Sequence, residues 1–92
     1  MHEKHLTEDL VCELESIAAR EGGTRVTRIR VRLGALSHFT PEHFREHFVD
    51  ASRGTLAEGA TVDALLDDNL DDPNAAGVVL ESVEVEVPEA TG

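Results

Sequence analysis

The side chains of this sequence best suited to chemistry are its five histidines and one cysteine. The sequence opens Met1-His2-Glu3. A free amine beside a histidine lets one short segment present an amine nitrogen, backbone amide nitrogens and an imidazole. Four nitrogens in a plane suit Ni(II) or Cu(II), whereas Zn(II) prefers a tetrahedron. The amine titrates near about pH 7.7 to 8.0 and imidazole near about 6.5, and amide nitrogens must also lose protons to bind, so affinity is expected to fall on acidification. The bland alternative is an exposed His2 at a chain end. His2 and His5 stand three apart and His43 and His47 four apart, spacings that put each pair on one helix face, where it could clip a metal. Without a metal role, His47 borders a phenylalanine stripe and His43 is a first-turn surface residue. His38 precedes a helix start, a loop position from which a ligand can reach another element.

Other chemistries find no support. No nucleophile-elbow glycine pattern surrounds Cys12, Ser16, Ser37 or Ser52, and Gly22-Gly23 lacks the spaced glycines and lysine of a phosphate loop. The expectation is therefore not an enzyme. The acidic run 67–72 lacks the ordered ligands and central glycine of a calcium loop. One cysteine makes no intramolecular disulfide and by itself no structural zinc site. A net charge of −11 argues against nucleic acid and anionic membrane, and no apolar stretch is long enough to span a bilayer. A soluble, cytoplasmic protein is expected. All eight basic residues precede Gly54, where nine acidic ones nearly cancel them, and ten more acids follow.

At 92 residues there is room for one domain, 1–92, with one core. Leu6, Leu10, Leu14, Ile17 and Ala18 step by three and four, which predicts an amphipathic helix stopped at Gly22-Gly23. Residues 28–33 alternate, Ile29, Val31 and Leu33 against Arg28, Arg30 and Arg32, as a half-buried strand does; Val26 breaks the parity, so pairing starts after it or passes a bulge. Thr40 as N-cap, Pro41 at the first helical position and Phe39 with Phe44 as a hydrophobic staple open a second helix. Its stripe is Phe44, Phe48 and Ala51, and it ends near Arg53-Gly54. Residues 60–66 form a strand with Val62, Ala64 and Leu66 inward. Residues 79–87 form another with Val83, Val85 and Val87 inward, where Glu81 on the apolar parity signals a register shift or a later start. Between these two strands, 67–77 begins acidic and rich in turn formers and reads as an exposed loop. The order α-β-α-β-β predicts an α+β fold, two helices packed on one face of a small three-stranded mixed sheet. Arg28, Arg30 and Arg32 on the other face could then pair with Asp63, Glu84 and Glu86 across strands.

Several segments, taken in order, carry a family resemblance. They are Met1-His2-Glu3 before an acidic helix, Arg25-Val26-Thr27-Arg28-Ile29 leading into Leu33-Gly34-Ala35-Leu36-Ser37, Pro41-Glu42-His43-Phe44, and Ser52-Arg53-Gly54-Thr55-Leu56-Ala57-Glu58-Gly59-Ala60. Over residues 1–66 the chain resembles the HypA/HybF family, nickel metallochaperones for hydrogenase and urease maturation. The resemblance implies that His2 is the essential nickel ligand, with backbone nitrogens near Met1 and Glu3 completing the site. It also implies a possible further ligand from the loop before the second helix, which here offers His38, Thr40 being already occupied as an N-cap. Family members carry a zinc domain with two Cys-x-x-Cys pairs between the second and third strands; here that span, 67–77, has no cysteine, so no zinc is expected.

The function implied is a zinc-free nickel metallochaperone that binds Ni(II) at its amino terminus and assists maturation of a [NiFe]-hydrogenase or a urease. Its implied partners are a hydrogenase large-subunit precursor and a nickel-insertion GTPase, with an exposed strand edge as a route to a homodimer. The alternative is an adaptor or accessory subunit of a hydrogenase-type assembly that keeps the fold without the metal.

Overall fold

The computed structural model describes residues 2–73 and 75–88, with side chains from Leu6 onward. Helix α1 runs His2–Glu21. Its buried face is Thr7, Leu10, Val11, Leu14 and Ala18, whose spacing follows the helical period. The apolar stripe expected from the sequence is thus rotated slightly: Leu6 is exposed, while Thr7 and Val11 are buried. The helix ends in paired glycines. The Gly22 N–H donates to the Ala19 carbonyl and the Gly23 N–H to that of Ala18, with Gly22 at φ 70°, the left-handed C-terminal turn that favours glycine. Gly23 is required for a second reason, because a Cβ there would collide with the Val85 side chain.

Strand β1, Arg25–Leu33, is central. It pairs in parallel with β2, Thr61–Leu66, and antiparallel with β3, Val78–Glu86, giving the order β2-β1-β3. Helix α2, Pro41–Ser52, connects the two parallel strands and packs on α1 and β2, while α1 covers β1 and β3. The architecture is the expected α+β fold of two helices against a mixed three-stranded sheet.

Two bulges reconcile the irregular parities. Val26 pairs with Val85 and Arg28 with Glu84, leaving Thr27 as an extra residue whose hydroxyl donates to the Glu84 carbonyl at 3.2 Å. Val26 thereby returns to the inner face with Ile29, Val31 and Leu33, all fully buried. On β3 the partners of Arg30 and Val31 are Ser82 and Leu80, so Glu81 is the extra residue. Leu80 and Val83 can then both pack on the core while Glu81 turns outward.

Phe44 and Phe48, both fully buried, fill the space between α2 and the sheet. Three expectations need correction. Leu66, though on the inner parity of β2, is 59% exposed, because the core ends before it. Val87 lies past the end of β3 and is also exposed. The acidic segment is not wholly a solvated loop: Asp67 and Asp72 fold back towards Arg32, whose Nη1 lies 3.8 Å from each, and Ala75 is buried. Of the cross-strand pairs expected on the outer face, Arg28 with Asp63 forms at 2.7 Å; Arg32 meets Glu81, Asp67 and Asp72 instead of Glu84 or Glu86.

Candidate functional site

Met1 and the side chains of His2 and Glu3, the first candidates for holding metal, lie outside the described residues. The backbone is informative nonetheless. Because α1 begins at His2, the amides there belong to the first turn, whose N–H groups have no acceptor within the helix. Those nitrogens are chemically free to give up protons to a metal without breaking a helical hydrogen bond.

His38 sits in the loop between β1 and α2, exposed and at φ 65°. Histidine is among the residues that tolerate this left-handed conformation. Its neighbours explain the geometry. The Leu36 N–H donates to the Ala75 carbonyl and the Ser37 N–H to that of Gly34, which closes a tight turn. The reversal at His38 then sends Phe39 into the core, where it is 3% exposed. Thr40 follows as the N-cap, its hydroxyl accepting from the His43 N–H at 3.1 Å, and the Phe39 and Phe44 rings meet edge to face at 5.5 Å. The start of α2 is built as the sequence signals, and it leaves the His38 imidazole on the surface above that start.

The helix then brings His43 and His47 together. Their Nε2 atoms are 2.9 Å apart and their ring centroids 4.5 Å. Phe39 lies against both rings, with centroids at 6.0 Å from His43 and 6.3 Å from His47. The spacing in the sequence identified the pair; the contact of both rings with Phe39 could not be read from a staple signal that concerns only Phe44. His47 also lines an open groove of about 530 Å³ between the helices with Thr7, Glu8, Asp50 and Ala51. Among the described residues, no three His, Cys, Asp or Glu side chains converge to hold a metal, and no helix is long and apolar enough to cross a membrane.

The family model described as hydrogenase/urease nickel incorporation, metallochaperone, HypA, matches residues 1–68. The chain belongs to the HypA family. The HypA match takes in Met1-His2-Glu3, the His38 loop, α2 and β2, and stops in the acidic segment before β3. Hydrogenase maturation factor HypA of Methylocella silvestris is 46% identical over 63 residues, which are 68% of this chain and 56% of that protein. The HypA of Chlorobium limicola is 38% identical over 63 residues, 68% of this chain and 54% of the relative. The chain spans about half the length of the curated relatives it matches. The solution structure of the Ni metallochaperone HypA from Helicobacter pylori superposes with a TM-score of 0.76, covering 94% of this chain and 98% of that one at 15% identity, a likeness of fold.

Proposed function

We propose that this chain is a nickel carrier acting in hydrogenase or urease maturation, and that it holds Ni(II) as cargo through the Met1 amine, the His2 imidazole and backbone nitrogens of His2 and Glu3. The observation that carries this reading is that the HypA match begins at residue 1 and so includes Met1-His2-Glu3. The chemistry is self-consistent. Amine, imidazole and two deprotonated amides supply four nitrogens in the tetragonal arrangement that Ni(II) accepts, and the two amide anions neutralise the ion. That neutrality matters at a helix start, where the dipole opposes an added cation. His38 is proposed as a further ligand reaching over from the loop before α2. No residue is assigned a catalytic role, and the carrier acts in the cytoplasm by delivering nickel to a hydrogenase large-subunit precursor or to a nickel-insertion GTPase.

No zinc enters this proposal. A four-cysteine site cannot be assembled from a sequence whose one cysteine, Cys12, lies exposed on α1, and residues 67–77, which join β2 to β3, contain neither Cys nor His. Nickel loading by this chain is therefore proposed to be zinc-independent.

A second reading is an adaptor that has kept the fold and not the metal. It is favoured by the exposed leucines Leu65 and Leu66 at the end of β2 and Leu70 in the segment after it. Calorimetric titration of protein starting at Met1 with Ni(II), beside His2→Ala and a variant with extra residues before Met1, separates the two. Binding of one nickel more by the native start than by either variant supports the carrier. Equal uptake by His2→Ala, or none by any of the three, removes it in favour of the adaptor.

A further inference from the structure

We propose that His43 and His47 form a second divalent-metal site on α2, separate from the amino terminus and open to Ni(II). The bite of the pair suits such an ion. Metal–imidazole bonds of about 2.0 to 2.1 Å, applied to nitrogens 2.9 Å apart, subtend about 90° at an ion between them. That is the angle of neighbouring ligands in a square-planar or octahedral shell, the geometries open to Ni(II) and Cu(II). A tetrahedral ion such as Zn(II) would need the nitrogens about 3.3 to 3.4 Å apart.

The pair is also held before any metal arrives. Four-residue spacing on α2 stacks the two side chains, both rings are half-buried, and Phe39 packs against each of them. Phe39 is in turn fixed by the reversal at His38 and by the edge of Phe44. Rings already restrained lose less rotamer freedom on binding. The two Nε2 atoms share one hydrogen bond, one ring donating and the other accepting. With metal bound, both would present lone pairs from Nε2 and carry their protons on Nδ1. The open groove beside His47 leaves the remaining positions to water, with the carboxylates of Glu8 and Asp50 along its walls. Asp50 is already engaged by Arg53 at 3.0 Å, so the imidazoles define the site.

The site does not depend on the terminal one, and the test keeps them apart by using the His2→Ala protein throughout. Titration with Ni(II) should show one ion bound, and His43→Gln or His47→Gln should each weaken that binding at least about tenfold with an unchanged helical circular-dichroism signal. In the same protein, substoichiometric Ni(II) should broaden the imidazole proton resonances of His43 and His47 ahead of those of His5 and His38, a readout that needs no variant on α2. Absence of Ni(II) uptake by His2→Ala protein, a change of less than about threefold in both glutamine variants, or first broadening at His5 or His38 would each overturn the proposal.

Discussion

Arg32 and Glu81 meet across the β1–β3 pairing only because β3 carries one residue too many at that point: the Arg32 Nε lies 3.7 Å from the Glu81 carboxylate. Without the bulge, Glu81 would point into the core with Leu80 displaced. The same guanidinium lies 3.8 Å from Asp67 and from Asp72, so one cation anchors the acidic β2–β3 connection to the outer face of the sheet. Each contact is long and Arg32 is 36% exposed, so the cluster contributes modestly. Arg32→Gln is expected to lower stability by about 1 kcal/mol in urea unfolding at low salt. The difference should shrink in about 1 M salt, where the Debye length falls to about 3 Å; a salt-independent loss would assign the effect to packing of the arginine stem instead.

Gly23 and Val85 make a sharper steric prediction. A methyl group at position 23 would collide with the Val85 side chain, and the Glu86 carbonyl lies close behind. Gly23→Ala should therefore cost about 1 to 3 kcal/mol, and Gly23→Ala with Val85→Ala should cost less than the sum of the two single changes. Gly22→Ala, by contrast, meets no neighbour within 4 Å. Its cost of about 1 kcal/mol would come from the left-handed backbone alone, and Val85→Ala should not relieve it.

Much of this fold is legible in the sequence because its signals are local. The Thr40-Pro41 helix start, the Phe39 and Phe44 staple and the double-glycine stop are each complete within a few residues, and each is realised as expected. The outer–inner alternation of β1 is legible too, and even the breaks at Val26 and Glu81 announce themselves as parity errors. What cannot be read is where a face stops being covered. Leu66 carries the correct parity, yet it lies exposed at the end of β2; Leu6 belongs to the right helix but sits at the margin of the α1 stripe. Likewise Asp67 and Asp72 look like solvated turn residues until the fold places Arg32 between them. In the candidate site, the four-residue spacing of His43 and His47 is visible from sequence. Their separation and the Phe39 wall depend on how the loop before α2 reverses.

That reversal centres on His38, and His38→Gly tests what the side chain does. At φ 65° a β-carbon is strained by about 1 kcal/mol, roughly offset by the greater freedom glycine gives the unfolded chain. Stability should therefore change by less than about 1 kcal/mol, with the structure of α2 retained. Nickel affinity at the amino terminus should nevertheless fall about tenfold if the imidazole completes the site as proposed. Unchanged affinity in a folded variant would leave the terminal nitrogens as the whole ligand set.

The terminal site should also betray its ligands through protons. An amine titrating near about 7.7 to 8.0 and an imidazole near about 6.5 must both be neutral to bind, and the amides must be deprotonated by the metal itself. Lowering the pH from about 8 to 6 therefore returns protons to every proposed ligand, and each returned proton opposes nickel. Between those two pKa values the amine and two amides together release close to three protons per nickel, so the apparent affinity should change by more than about tenfold per pH unit. Calorimetry in two buffers of different ionisation enthalpy counts those protons directly. A site made of two imidazoles, such as His43 with His47, needs no amide deprotonation and should release fewer, so the proton count identifies which site nickel occupies in the wild-type chain. A count near zero in slightly alkaline buffer would exclude amide ligation, and with it the terminal site as proposed.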